Sequence, residues 1–317
     1  MNHFLKRRDS RFVLFNLDDT QTTWRGVGLL AVVFFGSMFI AAVLTPPAYW
    51  LVEWWHNQTG SATAKWLLDK GVDVYFDRLR MISIVLGLPW LMSKCHLWSW
   101  RAMGLSRDKQ NLLRYFVGWF VGLFLIFGLA RIKHAHIQGY GDAFLTEDIP
   151  AMLKISFSAV LAGLILGFLE ETIFRGMILR MFYTATRRPW LALALMSAFF
   201  AYTHFKVPDS VWSNVAPGVH ANTGFFVAFW TMFGITQNFD PAQFLDYWLL
   251  GMTLGTLLLR TGSLLPGIGL HAGIVSAMFF FRGQHLTDGW PAAAALAAIL
   301  LTVTLWKEKM PSTPLPD

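Results

Sequence analysis

Residues 167–180 read GFLEETIFRGMILR. Two adjacent carboxylates, Glu170 and Glu171, stand inside an apolar run, with Arg175 and Arg180 just beyond. In water such a stretch is an ordinary amphipathic helix. In a bilayer each charge is expensive, and ionisable residues there are functional candidates by default. The reading of this stretch therefore depends on the solvent the chain is built for.

Composition decides that. Of 317 residues, 55% are hydrophobic and 14% charged, against about 25% charged in an ordinary soluble domain. The formal net charge of +7 resembles that of a nucleic-acid binder. However, the basic residues cluster at the ends of apolar segments, as the positive-inside bias requires, so no nucleic-acid partner is expected. Cys95 is the only cysteine, which excludes an intrachain disulfide and a cysteine zinc cluster.

A helical span needs about 20 mostly apolar residues. Segments 27–49, 80–97, 112–131, 152–172, 189–205, 244–260, 263–282 and 290–306 meet the pattern. The expected fold is all-α, a polytopic membrane protein of about eight transmembrane helices with an intramembrane catalytic cavity. The apolar run 224–236 is short and reads as re-entrant or interfacial. Residues 1–26 form a basic segment expected in the cytoplasm, 27–306 the transmembrane domain, and the Pro-rich 307–317 a flexible tail. The first apolar run is too long for a signal-peptide core and reads as an uncleaved span.

Basic residues before the first span, at 94–114, at 175–188, and at Lys307 and Lys309 fall on one face of an eight-span arrangement. That face is taken as cytoplasmic, with both termini on it. Arg131 and Lys133 lie on the other face and run against the rule.

Within the opening stretch, Gly163 and Gly167 have GxxxG spacing, which permits close helix approach in a membrane. Glu170 and Glu171 follow three and four residues after Gly167, so at least one faces that contact. Glu171 and Arg175, at i and i+4 with the acid first, suit a helical ion pair. Such a pair leaves Glu170 as the free carboxyl group. The bland alternative is a structural ion pair near a membrane face.

His204 ends the next apolar segment, four residues after Phe200, in SAFFAYTHF (197–205). A single His at a helix end is ordinarily a satisfied polar residue. Here the turn TRRPW (186–190) suggests a helical hairpin with Pro189 at a helix start. Arg187 lies midway between Glu170 and His204, which puts both at similar depth in antiparallel helices. His271, in RTGSLLPGIGLHAGIVSAMFF (260–280), is a second histidine in an apolar segment. Two histidines and a glutamate can bind a metal, or activate a water and stabilise an oxyanion. No HExxH zinc motif or GxSG serine motif occurs. GYGD at 139–142 matches the GxGD pattern of intramembrane aspartyl proteases but lies in a polar loop without a YD partner, and is taken as chance.

Glu170-Glu171-x-x-x-Arg175, Phe200-x-x-x-His204 and His271, in that order, resemble the CPBP family of CAAX prenyl endopeptidases and abortive-infection-type membrane proteins. EETIFRGMIL and GMTLGTLLLRTGSLLPGIGLHAG resemble its motif regions, over about residues 155–282. The resemblance implies an eight-helix fold with the site in a membrane cavity. It implies that Glu170 and His204 hold and activate the attacking water, that Arg175 orients Glu171, and that His271 belongs to an oxyanion hole. The family's Asn four residues after that His is Val275 here, which donates no hydrogen bond. Ser276 is about 100° further round a helix and is a doubtful replacement.

The favoured activity is a glutamate-dependent intramembrane endopeptidase acting on a membrane protein or peptide, in a bacterial plasma membrane. No cofactor is expected, and a zinc set of Glu170, His204 and His271 is the lesser reading. Two rivals stand beside it. One is a non-catalytic partner-binding or bacteriocin-immunity protein, favoured by Val275. The other is a proton-coupled transporter, opposed by the lack of paired broken helices in two halves.

Overall fold

The computed structural model describes residues 19–94, 105, 109–132, 149–186, 188–205, 218–236, 239–280 and 290–305. Among them the structure is helical: α1 (Asp19–Thr59), α2 (Ala62–Leu68), α3 (Val72–Lys94), α4 (Lys109–Ile132), α5 (Ile149–Glu171), a π-helical segment (Thr172–Ile178), α6 (Leu179–Thr186), α7 (Pro189–Thr203), α8 (Thr223–Phe233), α9 (Pro241–Thr261), α10 (Leu265–Phe280) and α11 (Trp290–Leu305). The chain forms two compact units, one from 1–98 with 202–240 and one from 99–201 with 241–317.

In the first unit α1 packs against α3 and α8. Met38, Ala41, Ala42, Phe76 and Val227 make its buried core. A side chain at Gly224 would collide with the Ala42 carbonyl, so only glycine lets α8 lie this close to α1. Pro46 and Pro47 sit inside α1. At 1.5 Å per residue its 41 residues reach about 61 Å, twice the roughly 30 Å hydrocarbon core. Part of α1 must therefore lie outside the hydrocarbon.

The second unit is organised around α10, which packs chiefly on α4 and α5. Both of its faces are built from small residues. Towards α4, Gly269 and Gly273 abut the backbone of Tyr115 and Trp119, while Gly118 and Gly122 abut the backbone of α10. A Cβ at Gly118 would stand 2.6 Å from the Pro266 carbonyl oxygen. Towards α5, a Cβ at Gly167 would stand 3.1 Å from Ala272 N, and one at Gly163 2.5 Å from Ala272 O. The GxxxG pair thus does what its spacing predicts, and α10 is held by backbone contact on two sides. Within the same unit α9 packs against α11 and α10, and its Gly251 stands over Ser197 of α7.

Length and composition qualify four stretches to cross a membrane among the described residues: 31–59, 109–132, 149–183 and 241–261. Four further apolar helices, 189–203, 223–236, 265–280 and 290–305, are shorter. The expected count of eight is not reached by this criterion. Helices of 15 or 16 residues extend only about 24 Å, and residues 80–94 of the expected span 80–97 fall in α3, with Arg80 and Lys94 at their ends, while 95–97 lie outside the described residues. The helix break expected at the turn is present, since α6 ends at Thr186 and α7 begins at Pro189. Two of the basic residues counted at the cytoplasmic face, Arg175 and Arg180, are buried in the fold and do not act as loop charges. GYGD and the tail 307–317 lie outside the described residues.

Candidate active site

The α5 glycines that admit α10 bring the next turn of α5 against it as well. Glu171, four residues after Gly167, is wholly buried. It is accommodated because residue 267 on α10 has no side chain: a Cβ there would stand 3.1 Å from Glu171 Oε2. Directly after Glu171 the helix widens into the π-helical segment. Such insertions are uncommon and favour functional sites.

Arg175, also wholly buried, donates from Nη1 to Glu171 Oε1 at 2.8 Å. The predicted i, i+4 pair is therefore present although the backbone between its members is not a regular α-helix. Arg175 Nε and Nη2 make no hydrogen bond among the described residues. The guanidinium lies instead over the Phe200 ring, 4.4 Å from its centroid.

His271, on α10, is buried. Its Nδ1 is 3.0 Å from Glu171 Oε1, and its Nε2 is 3.7 Å from Glu170 Oε2. With Glu171 as a carboxylate, the His271 tautomer that hydrogen-bonds to it carries the proton on Nδ1 and turns Nε2 towards Glu170. Glu170 is the open member of the group, with 28% of its side chain exposed against 1% for Glu171. Two carboxylates, a guanidinium and an imidazole thus form one connected cluster in apolar surroundings.

The structure brings Glu170, Glu171, Arg175 and His271 together. His204 lies in the turn just after α7 and is half-buried; it belongs to the other unit. Its part at the site rests on the resemblance alone. Val275 is half-buried one turn beyond His271. Ser276 is buried and faces α5, where a side chain at Gly163 would strike its hydroxyl. It does not share the His271 face, as its angular position on the helix implied.

Three residues were not anticipated. Phe200 entered the sequence reading only as a spacing partner of His204. Gly267 makes room for Glu171, a role that its place in the sequence does not announce. Asp246 on α9 is 2% exposed, and the rule that singled out Glu170 and Glu171 applied equally to an acid within an apolar segment. Among the described residues no three His, Cys, Asp or Glu side chains are grouped to hold a metal ion. No catalytic step is assigned to a metal.

Residues 150–277 match the family model described as type II CAAX prenyl endopeptidase Rce1-like. The recognition carried by the three motifs holds over this segment, which runs from the start of α5 to near the end of α10 and contains every residue of the cluster. No curated protein and no solved structure matches the chain significantly. Over this segment the chain is similar to that family, and four of the described apolar stretches have the length and composition of membrane spans.

Proposed function

We propose that the protein is an intramembrane endopeptidase in which Glu170 activates a water for attack on a peptide carbonyl. The observation that carries this reading is the asymmetry of the glutamate pair. Glu171 is buried between Arg175 and His271, whereas the Glu170 side chain is partly exposed and faces the second ring nitrogen of the same histidine.

On this reading the Glu170 carboxylate takes a proton as the water oxygen bonds to the scissile carbon. The proton then goes to the departing amine as the C–N bond breaks, which restores the carboxylate. His271, oriented by Glu171, stands where it can exchange a proton with Glu170. The 3.7 Å separation is longer than a hydrogen bond, and on this reading it shortens once substrate is bound, as catalytic contacts often do. His204 is assigned as the second partner of the water through the family resemblance. The substrate is a membrane protein or membrane-inserted peptide, and the bilayer of a bacterial plasma membrane is its setting.

A second reading, a non-catalytic partner-binding or bacteriocin-immunity protein of the same fold, is favoured by Val275, an apolar side chain where the family carries a donor. Peptide cleavage by the purified protein in detergent or vesicles decides between them. The endopeptidase reading expects turnover by the wild type and loss of it in Glu170→Gln. Equal turnover in both, or none in either, overturns it.

A further inference from the structure

We propose that Phe200 is a positioning residue of the carboxylate cluster: its ring holds the Arg175 guanidinium in the orientation that keeps Glu171 on His271. The proposal rests on the endopeptidase reading for its catalytic consequence, but its geometry stands by itself.

Arg175 has a single hydrogen bond among the described residues, from Nη1 to Glu171, while Nε and Nη2 are buried without one. A cation so placed requires compensation across its face as well as at its edge. An aromatic ring within about 6 Å of the charge supplies it through the ring quadrupole, most strongly where water is excluded. Phe200 is wholly buried and lies 4.4 Å from the guanidinium carbon, nearer than Phe174 at 5.8 Å.

The other contacts of Phe200 tie this support to the site. It meets Phe174, the neighbour of Arg175 on the π-helical segment, in a T-shaped contact at 5.0 Å. It meets the His271 ring at 6.2 Å with planes 83° apart, and Tyr247 of α9 at 6.5 Å. One side chain on α7 therefore touches the arginine that pairs with Glu171, its neighbouring phenylalanine and the histidine that both glutamates face. The Phe200 ring holds the tilt of the guanidinium, and that tilt sets where Glu171 Oε1 points. Glu171 Oε1 in turn fixes the ring orientation and tautomer of His271.

Simple core packing predicts that any side chain of the same shape will serve. Positioning through ring electrostatics predicts that it will not. The discriminating variant carries pentafluorophenylalanine at position 200, introduced by codon suppression in the full chain. Its ring keeps nearly the same shape and loses the negative face. A desolvated cation–π contact corresponds to about thirtyfold in an equilibrium or rate. We expect kcat on a cleaved peptide to fall between about tenfold and thirtyfold, with KM within about twofold of wild type. Unchanged kcat overturns the proposal.

A second measurement does not need activity. In 15N-histidine spectra of the detergent-solubilised protein, assigned by comparison with His271→Gln, wild-type His271 should show a protonated Nδ1. The fluorinated variant and Phe200→Leu should shift or broaden that signal. If both retain the wild-type His271 signal, the ring does not position the cluster and the proposal fails. If wild type cleaves no peptide, the endopeptidase reading fails, while the spectra still decide the role of Phe200.

Discussion

His271 and Glu171, 100 residues apart in the chain, are joined by a 3.0 Å contact between Nδ1 and Oε1 inside the fold. The same carboxylate oxygen accepts from Arg175 at 2.8 Å. Glu171 is thereby the junction between the α5 and α10 parts of the site. Removing its charge should do more than weaken one bond, because it leaves the buried Arg175 cation uncompensated at its edge. Glu171→Gln is expected to destabilise the protein by about 3–5 kcal/mol, the usual consequence of breaking a buried pair from one side. The double variant Glu171→Gln with Arg175→Met should recover much of the loss. Thermal unfolding in detergent measures both, and a double variant no more stable than the single one would contradict the assignment.

Glu170→Gln should behave in the opposite way. Glu170 is partly exposed, so folding tolerates the amide while proton abstraction does not. A decrease in peptide hydrolysis of about a hundredfold or more is expected, the scale of general-base catalysis, with melting temperature close to wild type. Equal loss of stability in the Glu170 and Glu171 variants would remove the distinction between a reactive and a structural carboxylate.

The glycines of α10 predict a graded series. A Cβ at Gly267 meets the Glu171 carboxylate at 3.1 Å, and a side chain has some freedom to give way. A Cβ at Gly269 or Gly273 meets the backbone of α4, which does not. Gly267→Ala should cost about 1 kcal/mol, and Gly269→Ala and Gly273→Ala about 3 kcal/mol or failure to assemble. Unfolding midpoints of the three variants test the order. Gly267→Ala should also disturb hydrolysis out of proportion to its effect on stability, since it presses on the residue that orients His271.

Much of this was legible in the sequence, for reasons that can be stated. Glu170, Glu171 and Arg175 announce themselves because charge in an apolar run is expensive and is kept for a purpose. The GxxxG pair at Gly163 and Gly167 predicts a close partner because small residues have that consequence in membranes. The spacing did not identify the partner as α10, because contact order is not written in local periodicity. The π-helical widening after Glu171 has no signature in a 3.6-residue pattern. The role of Phe200 was hidden because one phenylalanine among 28 carries no sign that a cation lies over its face. The count of eight spans is not confirmed by the described helices, and the reason is physical too. Apolar composition marks the helices that are buried in the fold as strongly as those that cross a bilayer, and only length separates them.

Topology offers an independent test. The four long apolar stretches give an even number of crossings, as do eight. Both termini should therefore lie on one face, the cytoplasmic one by the basic residues before the first span and at Lys307 and Lys309. Reporter fusions at residues 1 and 317 should give the same signal, and opposite signals would require an odd number of crossings.

Val275 supplies the last prediction. It lies one turn beyond His271 on α10 and is half-buried, where the resemblance implies an asparagine. Ser276 does not substitute, since it is buried against α5 at Gly163. Both His271 nitrogens already face carboxylates, so the donors available to an oxyanion are few. One such donor is worth about a hundredfold to a thousandfold in rate. Val275→Asn should raise peptide hydrolysis, by up to about a hundredfold where the amide reaches the developing charge. Asparagine in an apolar wall also loses about 1–3 kcal/mol of stability without substrate, so the melting temperature should fall as the rate rises. A rate gain that vanishes in the double variant with Glu170→Gln would tie the new donor to the same chemistry. If neither wild type nor Val275→Asn cleaves a peptide, while Glu170→Gln leaves the cellular phenotype intact, the partner-binding reading becomes the better account of the fold.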